Sequence, residues 1–299
     1  MSPITRVAIA GATGNLGPAI VTQLLSAGFK VTALTRDASA AKVPAGVSTT
    51  TVDYSSLSSL TAALKGQDAV VSTLGSLAID KQLLLVEAAA AAGVKRFIPS
   101  DFGSNTVHPK AAALPVYGDK VAVQKLLKEK AAANPSFTYS IILNGPFLDW
   151  GIMVGFVLDA KNKKITLYDG GERLFSATTL ESIGKAVVGS FQKFEETKNR
   201  PVYVSSAVVS SKGLLEIAKK AVGAEGWTVT DASTDELVAQ AWEELKKDKP
   251  NPDVFVYNFI KAAIWGEGYG AKFDKTDNEL LGIKQLSDKD LEAIIAGFA

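Results

Sequence analysis

A chain of 299 residues, 47% hydrophobic and 21% charged, has ordinary globular composition and is long enough for one large domain or two smaller ones. Its 32 Lys and Arg against 31 Asp and Glu leave a net charge of +1, so no global field favours nucleic acid or an anionic membrane surface. With no cysteine and a single histidine, His108, disulfides, thiol nucleophiles and multi-histidine metal sites are excluded, and no metal centre is expected.

In chain order, residues 7–10 form a short apolar run, far too short for a signal-peptide core. The longest apolar stretches, near 83–94 and 151–160, fall short of a membrane span, so a cytoplasmic protein without membrane segments is expected. Strands are predicted over 7–10, 30–35, 49–52, 69–73, 95–98 and 138–143, and helices over 16–27, 57–64, 79–92 and 119–132. This alternation predicts an α/β fold, a Rossmann-type doubly wound parallel sheet.

After Leu143 the rhythm breaks. Asp169-Gly170-Gly171 predicts a hairpin turn between strands 165–168 and 174–177. A helix over 183–191, a strand over 202–205 and three or four further helices follow. The charged, Pro-containing stretch 246–252 is the clearest local break. The expected division is a dinucleotide-binding domain over 1–150 and a smaller, more helical substrate domain over 151–299, with segments crossing back to the first.

Chemistry concentrates where the predicted strands end. Gly11-Ala12-Thr13-Gly14-Asn15-Leu16-Gly17 follows the first strand and opens the first helix. In this setting Gly11 permits a tight turn, Gly14 lets backbone N–H groups approach a pyrophosphate, and Gly17 lets helix and strand pack closely. The helix start adds free donors and partial positive charge. Gly11, Thr13, Gly14, Asn15, Leu16 and Gly17 are therefore candidate cofactor-binding residues. The second strand ends at Arg36, a cation suited to the 2′-phosphate of NADP, while the adjacent Asp37 would suit NAD if the strand end slips by one. Thr73 and Gly75, Ser100 and Phe102, and Asn144, Pro146 and Phe147 follow the fourth, fifth and sixth strands, at the edge where open parallel sheets bind ligands.

Lys120 lies early in the helix after the fifth-strand loop, with Tyr117 and Gln124 on the same helical face. A lysine lining an apolar, cofactor-filled cleft has its pKa lowered toward proton-transfer range. His108 is read as a solvated loop histidine, and Lys246-Lys247-Asp248-Lys249 as a solvated loop. Trp150, Trp227, Trp242 and Trp265 are read as packing residues, with Trp150 and Phe147 also flanking the cleft.

The glycine loop, Leu34-Thr35-Arg36, the run from Val94 to Gly103 (VKRFIPSDFG), Val116-Tyr117-Gly118-Asp119-Lys120-Val121 and the stretch 138–147 together resemble the isoflavone reductase-like branch of the NmrA-like family. These are atypical relatives of the short-chain dehydrogenases. The resemblance is good over the first half and looser beyond it. It implies an NADPH-binding Rossmann protein that reduces a small aromatic substrate of phenylpropanoid, isoflavone or quinone type. It also implies that Lys120 is the catalytic acid or base. Where the plant-type enzymes carry Phe three residues before that lysine, this chain has Tyr117, a second catalytic candidate. The wider family also includes a redox-sensing regulator, so a non-catalytic NADP(H) sensor acting through a protein partner is the alternative. A sugar-nucleotide epimerase is disfavoured because Tyr-x-x-x-Lys is absent.

Overall fold

The computed structural model describes residues 4–37, 42–75 and 78–299. The first half runs β1 (Arg6–Ala10), α1 (Gly17–Ser26), β2 (Lys30–Thr35), β3 (Val47–Thr51), α2 (Leu57–Leu64), β4 (Ala69–Ser72), α3 (Lys81–Ala91), β5 (Arg96–Ile98), α4 (Pro109–Ala112), α5 (Gly118–Ala133) and β6 (Thr138–Leu143). The second runs α6 (Leu148–Met153), β7 (Lys164–Tyr168), β8 (Phe175–Ala177), α7 (Leu180–Gln192), α8 (Phe194–Thr197), β9 (Arg200–Tyr203), β10 (Ala207–Val209), α9 (Ser211–Val222), β11 (Thr228–Ala232), α10 (Thr234–Leu245), α11 (Pro252–Trp265), α12 (Asn278–Leu281) and α13 (Asp288–Ala296).

The main sheet is parallel, in the order β3-β2-β1-β4-β5-β6-β9. Its central strands β1, β4, β5 and β6 are buried almost throughout because both faces are covered, whereas the edge strand β3 has no buried residue. On one face Val7 and Ile9 of β1 pack with Ile20 and Leu24 of α1 and with Ile183 and Val187 of α7. On the other, Ala8 and Ala10 pack with Leu60 and Leu64 of α2, Leu85 of α3 and Leu127 of α5. The order reverses between β1 and β4, where an open α/β sheet leaves a crevice beyond its strand ends. The predicted helix 183–191 and strand 202–205 are α7 and β9: the late chain crosses back to complete the first sheet.

Arg96 is fully buried where these late elements meet β5. Its guanidinium donates to Thr138 Oγ1 (2.8 Å), Ser140 Oγ (2.6 Å), Thr197 Oγ1 (3.0 Å), Ser190 O (3.3 Å) and Phe194 O (2.6 Å), and lies 4.0 Å over the Phe194 ring. Burial draws its pKa down to about 10, opposed by the charge of Glu195, so it remains a cation at neutral pH.

Beside it, just before β4, Asp68 gathers three segments. Its carboxylate accepts from Thr5 N (3.0 Å), Thr5 Oγ1 (2.9 Å), Arg6 N (3.0 Å) and Lys95 Nζ (2.7 Å). Burial works against ionisation, but these donors outweigh it and hold the pKa at about 2. An Asp with a depressed folded pKa stabilises the fold above its unfolded value of about 4 and loses that contribution as pH falls through the folded value. Asp68→Asn is therefore expected to melt below the parent at pH 7, with the gap closing between about pH 4 and pH 2. Melts that stay equally separated across that range would exclude the ionised carboxylate as the cause.

A second core joins Leu148 and Ile152 of α6, Ile165 and Leu167 of β7, Phe175 of β8, Leu214 of α9, Trp265 of α11 and Ile295 of α13. Here the predicted hairpin is wrong. β7 pairs in parallel with β11, and β8 pairs antiparallel with β10. Asp169, Gly170 and Gly171 all take positive φ (48°, 81° and 75°), one residue more than a two-residue hairpin turn needs. The Asp169 carboxylate accepts from Thr234 N (2.9 Å) and Arg173 Nη1 (3.0 Å), pinning the end of β7 to the start of α10. The break at 246–252 is the α10–α11 turn. Trp265 is buried and stacks on Tyr168 at 4.5 Å, and Trp242, though 46% exposed, packs edge-on against the buried Phe259 at 5.4 Å. Among the described residues no helix is long and apolar enough to cross a membrane, and no group of three or more His, Asp or Glu could hold a metal ion.

Candidate active site

The loop after β1 is shaped by what its glycines touch. Gly11 has φ +86°, and a Cβ on it would lie 2.7 Å from Thr73 O; a Cβ on Gly17 would lie 2.2 Å from Gly11 O. These two glycines close the loop on itself and on the end of β4, where Thr73 Oγ1 donates to Ala10 O (3.0 Å) and Gly11 O (2.9 Å). Gly14 is different. A Cβ there would meet nothing nearer than Gly11 O at 3.4 Å, so its outer side is open.

That open side begins a cavity of about 880 Å³. It runs from Gly14, Asn15 and Leu16 past Thr73, Gly75, Ser100 and Phe102 to Tyr117 and Lys120, with Gly145, Pro146, Phe147 and Trp150 beyond. Eleven of the candidate residues thus share one wall. Gly11, Thr13, Gly17, Arg36 and Asn144 do not line it. Thr13 and Arg36 are exposed, the latter just past the end of β2. Asn144 lies buried beneath the turn, its Nδ2 donating to Gly145 O (2.7 Å) and its carbonyl accepting from Thr178 Oγ1 (2.6 Å). His108 also lies off the cavity, with Nδ1 buried and without a partner, so it is not the solvated side chain expected of a loop histidine.

Lys120 stands in the first turn of α5. Its Nζ donates to the carbonyl of Asp101 (2.7 Å) and lies 5.7 Å from the centre of the Tyr117 ring. Burial pulls the ammonium below the ordinary lysine value, with the charge of Asp101 acting the other way. The Asp101 carboxylate is itself buried and accepts from Thr106 Oγ1 and from Gln124 Nε2 (2.9 Å). Burial raises its pKa; Lys120 and those two donors oppose the rise. Tyr117 is buried and donates from its hydroxyl to Ser104 Oγ (2.7 Å). Burial pushes the phenol well above its usual range, the Ser104 bond opposes the shift and the Asp101 charge adds to it. The arrangement sets one partly desolvated ammonium, backed by a buried carboxylate, beside a pair of hydroxyls.

Sequence reasoning missed Ser104, Asp101 and the outer wall. Gln124 was visible as the i+4 neighbour of Lys120, though not its bond to Asp101. The outer wall is Val154, Gly155 and Phe156 after α6 with Tyr257, Ile260 and Ile264 of α11. Nothing in those segments marks them locally. They come to the cavity through the second core and through the packing of α11 on Leu114 and Tyr117.

The model of the NmrA-like family matches residues 3–231. The "Oxidoreductase poxI" of Penicillium oxalicum is 35% identical over 95% of this chain and 91% of its own length. The "Oxidoreductase aprR" of Aspergillus flavus is 33% identical over 97% of both chains. A solved binary complex of leucoanthocyanidin reductase with NADPH from Vitis vinifera superposes with a TM-score of 0.77 over 98% of this chain and 99% of that one, a likeness of fold at 21% identity. With a family model spanning most of its length and two relatives above 30% identity over nearly all of it, this chain belongs to the NmrA-like family.

Proposed function

We propose that this protein is an NADPH-dependent reductase of a small aromatic substrate of phenylpropanoid, isoflavone or quinone type, with Lys120 as its acid–base group. The observation that carries this reading is the continuity of the cavity from the open face of Gly14 to the Lys120 ammonium. The residues present fit the nucleotide. The loop 11–17 leaves room for a pyrophosphate at Gly14 and at the start of α1, and Arg36 is exposed just past the end of β2, where a 2′-phosphate would lie. NADPH supplies the hydride. Lys120 supplies the proton, or the positive charge, that a substrate anion needs.

Phe147, Trp150, Phe156 and Tyr257 give the substrate end flat apolar surfaces, and among the described lining residues Lys120 is the sole charged one. Such a wall suits a neutral ring system. Residues 1–150 form the cofactor domain and the near wall of the substrate end, and 151–299 add its outer wall, with α7 and β9 returning to the first sheet. A sensor would need the same loop but not an ammonium facing an aromatic wall, and this favours the reductase.

Cofactor titration tests the reading. One charge-assisted contact is worth about 1.5–3 kcal/mol, so NADPH should bind roughly 10- to 100-fold more tightly than NADH, and Arg36→Ala should level the two. Equal affinities in the unmutated protein would remove Arg36 from the site. Absence of NADPH oxidation with a panel of phenolic and quinone acceptors, beside tight nucleotide binding, would move the assignment to the sensor.

A further inference from the structure

We infer that the Ser104 hydroxyl, primed by Tyr117, holds the substrate at a carbonyl oxygen, so that the accepted substrates are aromatic ketones or quinones. This rests on the reductase reading above. Ser104 and Lys120 are neighbours on the cavity wall, since a Cβ on the intervening Gly103 would lie 4.0 Å from Lys120 Nζ. The segment is fixed: Gly103 O accepts from Gly145 N (2.9 Å) and Asn144 N (3.3 Å).

Hydrogen-bond direction decides the role. Tyr117 donates to Ser104 Oγ, which uses the serine oxygen as an acceptor. The serine proton then has no acceptor among the described residues. Lys120 spends one of its three N–H groups on Asp101 O. Two sets of donors therefore face one cavity with nothing among the described residues to receive them, and donation by Tyr117 strengthens the serine as a donor in turn. An acceptor that gains negative charge during reaction answers both.

The step balances as follows. A hydride adds to the carbonyl carbon, or to the conjugate position of a quinone, and the C=O π pair moves onto oxygen. Ser104 donates a hydrogen bond to that oxyanion, Lys120 transfers a proton to it, and solvent reprotonates the lysine. A ketone gives the alcohol directly; a quinone attacked at its conjugate carbon gives the keto tautomer, which loses a proton from that carbon to solvent and gains one on its second carbonyl oxygen to become the hydroquinone, and in both cases the nucleotide leaves oxidised.

The test compares 1,4-naphthoquinone with crystal violet, a carbenium dye that accepts hydride at carbon and has no oxygen there. In Ser104→Ala the naphthoquinone-to-crystal-violet ratio of kcat/KM should fall about 10²-fold, the loss typical of removing one oxyanion donor. Calorimetric affinity for benzophenone in the presence of NADP+ should fall roughly fivefold, with NADP+ affinity unchanged. Because Ser104→Ala leaves the Tyr117 hydroxyl without its partner, the double variant Ser104→Ala/Tyr117→Phe is run beside it and should show the same ratio. An unchanged ratio, equal loss on both acceptors, or a loss of NADP+ affinity in place of ketone affinity would overturn the inference. A parent that reduces only crystal violet would overturn it and leave the reductase standing. If the parent binds nucleotide but reduces neither, equal benzophenone affinity in the variants overturns it and a fivefold loss supports the ketone site. A parent that binds no nucleotide would refute the reductase reading, and the inference with it.

Discussion

Replacing Lys120 by alanine is expected to lower turnover of a quinone acceptor by about 10²–10⁴-fold, the range for general acid–base groups, while NADPH affinity stays within several-fold. The asymmetry follows from position. On the reading proposed above the glycine loop and Arg36 hold the phosphates, and Lys120 stands further along the cavity that begins at that loop, on α5. Lys120→Arg separates charge from proton transfer, because a guanidinium keeps its proton at any working pH. An arginine variant as poor as alanine identifies Lys120 as the proton donor; one near parental rate leaves it a purely electrostatic role. The pH profile carries the same signature. A lysine that must be protonated fails as pH rises through its pKa, and burial has moved that pKa below the ordinary lysine value. The parental rate should fall along an alkaline limb below that value, and the residual rate of Lys120→Ala should lack this limb. Full turnover in Lys120→Ala would end the assignment.

The largest loss of stability from a single methyl group is expected at Gly145. Its φ is +64°, and a Cβ there would lie 1.8 Å from Ser176 O. Ser176 cannot retreat freely, because its N donates to Ala271 O (3.0 Å) and its Oγ accepts from Phe273 N (3.0 Å). Gly145→Ala must therefore move the 144–147 turn, break those bonds, or do both, at a cost of about 2–4 kcal/mol. Thermal melts should show a drop of roughly 5–10 °C. Gly14→Ala is the control, since its Cβ would make only ordinary contact and its backbone is not in the left-handed region. It should melt within about 1–2 °C of the parent. Equal melting of both variants would show that the β8 side yields without cost.

Legibility followed burial. Strands 30–35 and 138–143 and helix 57–64 coincide with β2, β6 and α2 because each carries its own apolar pattern against one core. β11 gave no such signal: Thr228, Val229, Thr230 and Asp231 are all exposed, and the strand exists only as the partner of β7. The near wall of the cavity was legible because residues just past parallel strands must crowd one edge. Asn144 shows how sharply that rule is bounded, since it lies under the turn whose next three residues face the cavity. Tyr257, Ile260 and Ile264 stayed hidden because their helical spacing reads as core; only tertiary packing turns that face of α11 toward the glycine loop.

Arg96 has a bearing on how the chain can be cut. Its acceptors on β6 arrive within about fifty residues, but Ser190, Phe194 and Thr197 come 94 to 101 residues later. A fragment ending near residue 150 would keep the cation and lose three of its five acceptors, along with the strand that covers the edge of β6. An unmatched charge would then sit in the middle of an otherwise apolar sheet layer. The first half of the chain is therefore not a portable module, and during synthesis its last strand waits for more than fifty further residues before its edge is closed.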